Sequence, residues 1–276
     1  MAIRTETVEF TEQLGFSKLF KDYLRFGEFF RNRFPGNKLS TDPVHLSRIA
    51  ERYARRDEAV LAVRKSMECV DLSVVQLTNL EKLSEPNSLA ITTGQQPGFL
   101  GGPLYTYFKA ATAISFARRM AVRHPSFDFV PIFWVEDNDH DSREASVSYI
   151  LTKENNIKPV DCALGEHPSG VSVSSRRFSG GVADVVRQII DEVPYGEFKG
   201  ELESLLADSI SEGRAWSESF IQILNAVFSD SGLLFVRSSV LRQMGFFDGP
   251  ALAELESCDT NNSSHSAITS ANEHLE

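Results

Sequence analysis

Cysteine is scarce in this chain and too widely spaced for paired chemistry. The 276 residues hold three, Cys69, Cys162 and Cys258, so there is no CxxC pair to build a zinc knuckle or a dithiol redox centre. An odd count suits a reducing cytoplasm better than a disulfide framework. Positive charge is also short: 28 Lys and Arg against 38 Asp and Glu leave a formal net charge of −10. That argues against a general nucleic-acid binder, whose affinity needs clustered cations. No apolar run reaches the ~20 residues that span a bilayer, and Met1–Phe10 is polar and mixed in charge, unlike a secretory leader. The expectation is a soluble, cytoplasmic protein with no nucleic-acid or membrane partner. Neither the GxxxxGK(S/T) nor the GxGxxG phosphate fingerprint occurs, and no repeat recurs at solenoid periods.

What is present is enough apolar material, 42% of residues, for one large domain or one domain with an accessory piece. Phe16–Phe34 interleaves Phe and Leu with Lys and Arg and reads as a short helix or arm laid on the domain, ended by Pro35-Gly36-Asn37. Residues 42–85 read as helical, with Asp42-Pro43 as cap and first turn. Leu89–Thr92 reads as a strand, Tyr105–Val122 as a helix and Phe129–Val135 as a second strand. The second is apolar nearly throughout, as in a parallel sheet buried on both faces. Residues 146–151 and 157–164 form an expected hairpin about Glu154-Asn155-Asn156. Helices are expected after Gly180-Gly181, over Lys199–Ile210 and over Ala215–Ser229, and a core strand over Gly232–Val236. This order is the α/β signature: a mostly parallel open sheet with flanking helices. Residues 1–256 are assigned to that core and its N-terminal arm. Residues 257–276 are assigned to a polar tail or to the opening of a further helix.

Two segments carry chemistry. The first runs from Thr92 to Tyr105, a strand passing through a glycine-rich loop into a helix. Glycines let backbone N–H groups approach a ligand, and the helix start favours negative charge. A small-molecule pocket holding an anionic group is expected there, built from Thr93, Gly94, Gln95, Gln96, Gly98, Gly101, Gly102 and Tyr105. Of the two glutamines, one is expected to tie down the loop and one to face the ligand. Lys109, one turn beyond Tyr105, either recruits an anion or is simply exposed. The second segment is Glu136-Asp137-Asn138-Asp139-His140-Asp141, directly after the second strand. Ligands of open α/β sheets lie beyond the carboxyl ends of strands, so the two loops face one crevice if their strands are neighbours. His140 is a candidate proton carrier oriented by an aspartate. Asp139 and Asp141 are candidates for holding a divalent metal or a substrate ammonium. The plainer alternative is an acidic turn capping the next helix. Trp134 is expected to pack in the core or, second, to wall the pocket. His45, His124, His167, His265 and His274 are expected at the surface.

At Thr93-Gly94-Gln95-Gln96-Pro97-Gly98, Gly101–Lys109, Pro131-Ile132-Phe133-Trp134 and Asp139-His140-Asp141, and in the spacing between them, the chain resembles the BshC family, the cysteine-adding enzymes of bacillithiol biosynthesis. The resemblance covers effectively the whole chain. It implies a Rossmann-like core followed by connecting segments and a helical coiled coil used for dimer contacts, in proteins about twice this length. On that footing the chain stops as the coiled-coil region begins, and a homodimer belongs to the full-length form. It also implies a ligase that joins L-cysteine to glucosaminyl-malate through an amide, with Asp139, His140 and Asp141 as catalytic candidates and ATP as the activator. No metal-ligating residues are assigned, and the need for a metal is left open. One departure stands out: the family's Glu-Asp-His-Asp reads Asn138-Asp139-His140-Asp141 here, removing the first carboxylate. A non-catalytic sugar-acid or nucleotide binding module, and a metal-dependent nucleotide hydrolase, are the alternatives.

Overall fold

The computed structural model describes residues 15–25, 28, 41–165 and 170–258. Expectations for residues 1–14, 26–27, 29–40, 166–169 and 259–276, including His167, His265, His274 and most of the polar tail, lie outside the described residues. Two compact units are distinguished, Ser47–Asp248 and a second made of Met1–Leu46 with Gly249–Glu276. In the second, helix α1 (Lys18–Arg25) lies within the expected aromatic arm.

The expected helical stretch over 42–85 is broken twice, into α2 (Pro43–Arg52), α3 (Arg56–Ser66) and α4 (Val74–Ser84). Asp42 caps the first as anticipated, its Oδ1 accepting from the Val44 N–H at 2.8 Å. The third carries a capping box. The Ser73 hydroxyl accepts the Gln76 N–H, and the Gln76 side-chain Oε1 accepts the Ser73 N–H.

The sheet follows. Strand β1 (Ser88–Gln95) leads through a short 3₁₀ turn (Phe99–Gly101) into α5 (Leu104–Arg123), which returns to β2 (Asp128–Val135). A short helix α6 (Ser142–Ser146) enters the antiparallel hairpin β3 (Val147–Leu151) and β4 (Ile157–Asp161). Helices α7 (Val182–Glu192), α8 (Lys199–Ser209) and α9 (Trp216–Phe228) precede β5 (Leu234–Arg237). Helices α10 (Ser238–Gln243) and α11 (Asp248–Cys258) complete the described chain. The order across the sheet is β1-β2-β5, with both pairings parallel. The Rossmann-like open parallel sheet with flanking helices is therefore present, with three strands among the described residues.

Register decides where function can sit. Gln95 pairs with Val135, and Val135 with Arg237, so all three strands end in one row. The loops after β1 and β2 and the start of α10 leave the same rim.

Two apolar clusters support this rim. The first surrounds the sheet and includes Leu80, Ile114, Val130, Phe133, Leu224 and Phe235. The second gathers Phe99, Ile150, Val160, Phe178, Ile190 and Trp216 around the hairpin and α7–α8. Helix α9 serves both, giving Phe220, Ile221 and Leu224 to one and Trp216 and Ile223 to the other. Apolar residues on two of its faces suit burial between the two clusters.

Candidate functional site

The glycines at the end of β1 and in the loop after it are closely packed. A Cβ on Gly94 would stand 2.8 Å from the Trp134 carbonyl oxygen across the ladder, and one on Gly98 2.7 Å from the Gly102 Cα. Gly101 and Gly102 have φ of +83° and +76°, a region open to glycine at little cost. Their amides donate to the Gly98 and Phe99 carbonyls. The Gly101 and Gly102 amides are thus committed within the turn rather than turned towards a ligand.

The side chains converge instead. Gln96 is 7% exposed, and its Nε2 donates to the Asp141 carbonyl at 2.9 Å, which ties the loop after β1 to the loop after β2. Gln95 accepts from Lys109 Nζ at 2.9 Å and faces the Glu144 carboxylate at 3.3 Å. Lys109 also donates to the Gly94 carbonyl at 3.2 Å and lies over the Tyr105 ring, 4.9 Å from its centroid. Lys109 is therefore neither a free anion receptor nor a merely exposed cation. It fastens the end of β1 to α5.

Between the two loops lies a cavity of about 610 Å³. Of the residues singled out in the sequence, Gln95, Gln96, Gly98, Gly102, Tyr105 and Asp141 line it, joined by Arg143, Glu144 and Tyr149. Helix α5 begins in its wall at Pro103, Leu104 and Tyr105, which places the positive end of the helix there.

Other candidates sit elsewhere. Thr93 and Gly94 are within β1, paired with Phe133 and Trp134, and Gly101 is buried in the 3₁₀ turn. Trp134 lies on the opposite face of the sheet from Phe133, as strand alternation requires. There it lines a second, mainly aliphatic cavity of about 530 Å³ with Tyr53, Ile132 and Val236, and its Nε1 donates to Glu136 at 2.9 Å. Trp134 therefore does not wall the cavity of Gln95.

The acidic segment divides its labour. Asp137 is fully buried and accepts the Ser239 N–H at 2.8 Å and the Ser239 hydroxyl at 2.7 Å. Glu136 accepts from the Ser238 hydroxyl at 2.6 Å. Both carboxylates hold the start of α10. The Asp137 and Asp139 carbonyls accept the amides of Ser174 and Val173, which fixes the loop from behind. Asp139 Oδ1 accepts the His140 and Asp141 N–H groups at 2.6 and 3.1 Å. Asp141 caps α6 through the amides of Arg143 and Glu144 at 3.1 and 3.0 Å. The capping alternative thus describes much of this turn. His140 extends into solvent, its side chain 77% exposed, with Nδ1 3.7 Å from Asp139 Oδ1, too far for an orienting hydrogen bond. Neither His140 nor Asp139 lines the cavity. Among the described residues no cluster of three or more His, Cys, Asp or Glu is placed to hold a metal ion.

Sequence reasoning missed Arg143, Glu144 and Tyr149. Their signal was position alone: they follow the capping Asp141 by two, three and eight residues. It also misplaced His124, which is buried at 9% exposure against Phe129. Its place at the end of α5 turns the ring back onto the sheet. No helix among the described residues is long and apolar enough to cross a membrane.

Comparison with known proteins fits this geometry. Residues 3–276 match the family model described as "Bacillithiol biosynthesis BshC, N-terminal Rossmann-like domain". The chain is 31% identical over 244 residues to a Chlorobaculum tepidum protein named "Putative cysteine ligase BshC", covering 84% of this chain and 42% of that one. It is 29% identical over 241 residues to the protein of that name from Chloroherpeton thalassium, covering 81% and 41%. A third, from Oceanobacillus iheyensis, is 26% identical over 210 residues, covering 74% and 38%. The chain spans about two fifths of the length of these relatives. With its parallel sheet, its shared rim and a family match along nearly its full length, the chain belongs to the BshC family and carries that family's N-terminal Rossmann-like domain.

Proposed function

We propose that this chain forms the substrate-binding core of a cysteine ligase that joins L-cysteine to glucosaminyl-malate through an amide, in the cytoplasm, and that the full-length form is a homodimer. The observation that carries the reading is the Gln96–Asp141 hydrogen bond, which clasps the two loops around one cavity large enough for a sugar-sized guest. The family match and the relatives' name support the reaction class.

The cavity's two kinds of wall suit the two chemistries of such a substrate pair. Arg143 and the start of α5 suit a carboxylate. Asp141 and Glu144 suit an amine and, once the amine is bound, can accept its proton so that it attacks as a neutral nucleophile. Asp139 and His140 lie outside the cavity lining, and the exposed His140 would act only by carrying protons to water.

Amide formation from a free acid is uphill in water, so the reading includes an activated carboxylate with ATP as the source. The Gly101 and Gly102 amides are bonded within the turn, so a phosphate at this rim would meet the start of α5 and Arg143 in the cavity wall. Incubating a full-length relative with L-cysteine, glucosaminyl-malate and ATP should yield the thiol amide by mass spectrometry. Absence of product from an intact, folded relative would remove the ligase reading. A His140→Ala exchange at the matching position that leaves the rate unchanged would remove only that residue.

A further inference from the structure

The cavity's polar groups have a directionality that neither the family match nor the relatives' name assigns. We infer that the corner formed by Glu144, Gln96 and Asp141 is a primary-ammonium subsite, with Glu144 as its ion-pairing group and Lys109 as the residue that positions it. The inference rests on the ligase reading for the identity of the amine, and on geometry for the subsite.

The side-chain hydrogen-bonding atoms of Gln95, Gln96, Asp141 and Glu144 are either committed or acceptors. Gln95 is used at both ends: Oε1 takes a hydrogen from Lys109 at 2.9 Å, and Nε2 points at Glu144 Oε1 at 3.3 Å. The Gln96 amide is oriented by its Nε2 bond to the Asp141 carbonyl, which leaves Oε1 as the acceptor end. That oxygen is buried and without a protein partner, in a residue that is only 7% exposed and borders the cavity. Asp141 Oδ1 is occupied by the α6 amides, and the carboxylate borders the same space. Two carboxylates and one orphan carbonyl beside a cavity call for a ligand that donates several hydrogens and carries positive charge. A primary ammonium does both. A carboxylate or phosphate would be repelled at this corner and is directed to the Arg143 side.

Lys109 acts at one remove. Its ammonium is held by Gln95 Oε1 and the Gly94 carbonyl. It fixes the Gln95 amide with the nitrogen towards Glu144. Without it, the amide is free to turn its oxygen to Glu144, and acceptor would face acceptor.

Two substrates of the proposed reaction carry amines, so the arms must separate them. The intact chain, ¹⁵N-labelled, is titrated with L-cysteine against 3-mercaptopropionate and with D-glucosamine against D-glucose, following the side-chain amide resonances of Gln95 and Gln96. At least one amine should bind roughly tenfold or more tightly than its amine-free counterpart, the scale set by one charge-assisted hydrogen bond. Glu144→Gln should abolish that preference without lowering the thermal midpoint. Lys109→Met should weaken it several-fold, and Lys109→Arg should restore it. Equal binding of amine and amine-free probes, no amine response at all, or an unchanged preference in Glu144→Gln overturns the subsite. A response to methylammonium chloride but to neither L-cysteine nor D-glucosamine keeps the subsite and removes the cysteine-ligase reading.

Discussion

A glycine near the end of a strand invites a functional explanation, and at Gly94 the contacts supply a steric one. Gly94 lies against the backbone of Trp134, where neither partner can yield without disturbing the ladder. Gly94→Ala should therefore destabilise the chain by about 1–3 kcal/mol, the usual cost of overpacking, as read from urea unfolding midpoints. An unchanged midpoint would return Gly94 to the candidate ligand contacts. Burial also governs the thiols. It pushes Cys69 up from its ordinary 9.0 to about 11, and moves Cys162 and the Tyr107 hydroxyl upward too. A raised folded-state value means the fold favours the protonated thiol. The corresponding stability is fully present below pH 9, and for Cys69 it is lost as pH rises from 9 through about 11. Unfolding midpoints should fall between pH 9 and 10.5, and less steeply in Cys162→Ala, which has one fewer group to ionise. In the native chain at pH 8, both thiols should resist iodoacetamide, as mapped by mass spectrometry.

At the scale of elements, what was legible in the sequence was whatever burial alone decides. The strands β2 and β5 announce themselves by apolar runs, because a strand buried on both faces has no room for alternation, and the hairpin β3–β4 by its polar turn. The sharing of one rim by two loops followed from element order. The pocket's far wall did not. Arg143 and Glu144 belong to a five-residue helix too short to have a periodicity, and only the Asp141 cap turns them inward. Gln76 was invisible for a similar reason. Fully buried, it completes the α4 capping box and donates to both Asn225 and the Leu233 carbonyl at 2.7 Å. Gln76→Leu keeps the volume and orphans those acceptors, so it should cost about 1–3 kcal/mol, measurable as a lower urea midpoint. For the α6 cap, Asp141→Asn keeps an acceptor for the two amides and should preserve stability, whereas Asp141→Ala should lose about 1 kcal/mol. If Asp141→Asn also keeps amine binding, the residue works as a cap rather than as a charge.

Across the Ser47–Asp248 unit, the candidate site depends on two cores being held to one another. The loop after β1 belongs to both: its strand packs in the sheet core, while Phe99, four residues beyond Gln95, is buried in the hairpin core against Phe178. The same holds for α9, whose Leu224 faces the sheet cluster and whose neighbour Ile223 faces the other. A cavity bounded by the end of β1 on one side and by β3 residues on the other keeps its shape only while these contacts hold. Leu224→Ala and Ile223→Ala should each cost about 2–5 kcal/mol, since both side chains are buried and leave cavities. The informative measurement is hydrogen exchange rather than the midpoint. If the two cores act as one cooperative unit, Ile223→Ala lowers protection in β2 and β5 as well as in β4 and α7. If protection falls only around the hairpin, that subassembly opens separately. The Gln96–Asp141 clasp would then join two parts that move against each other, and ligand affinity should fall in Ile223→Ala while the sheet stays intact.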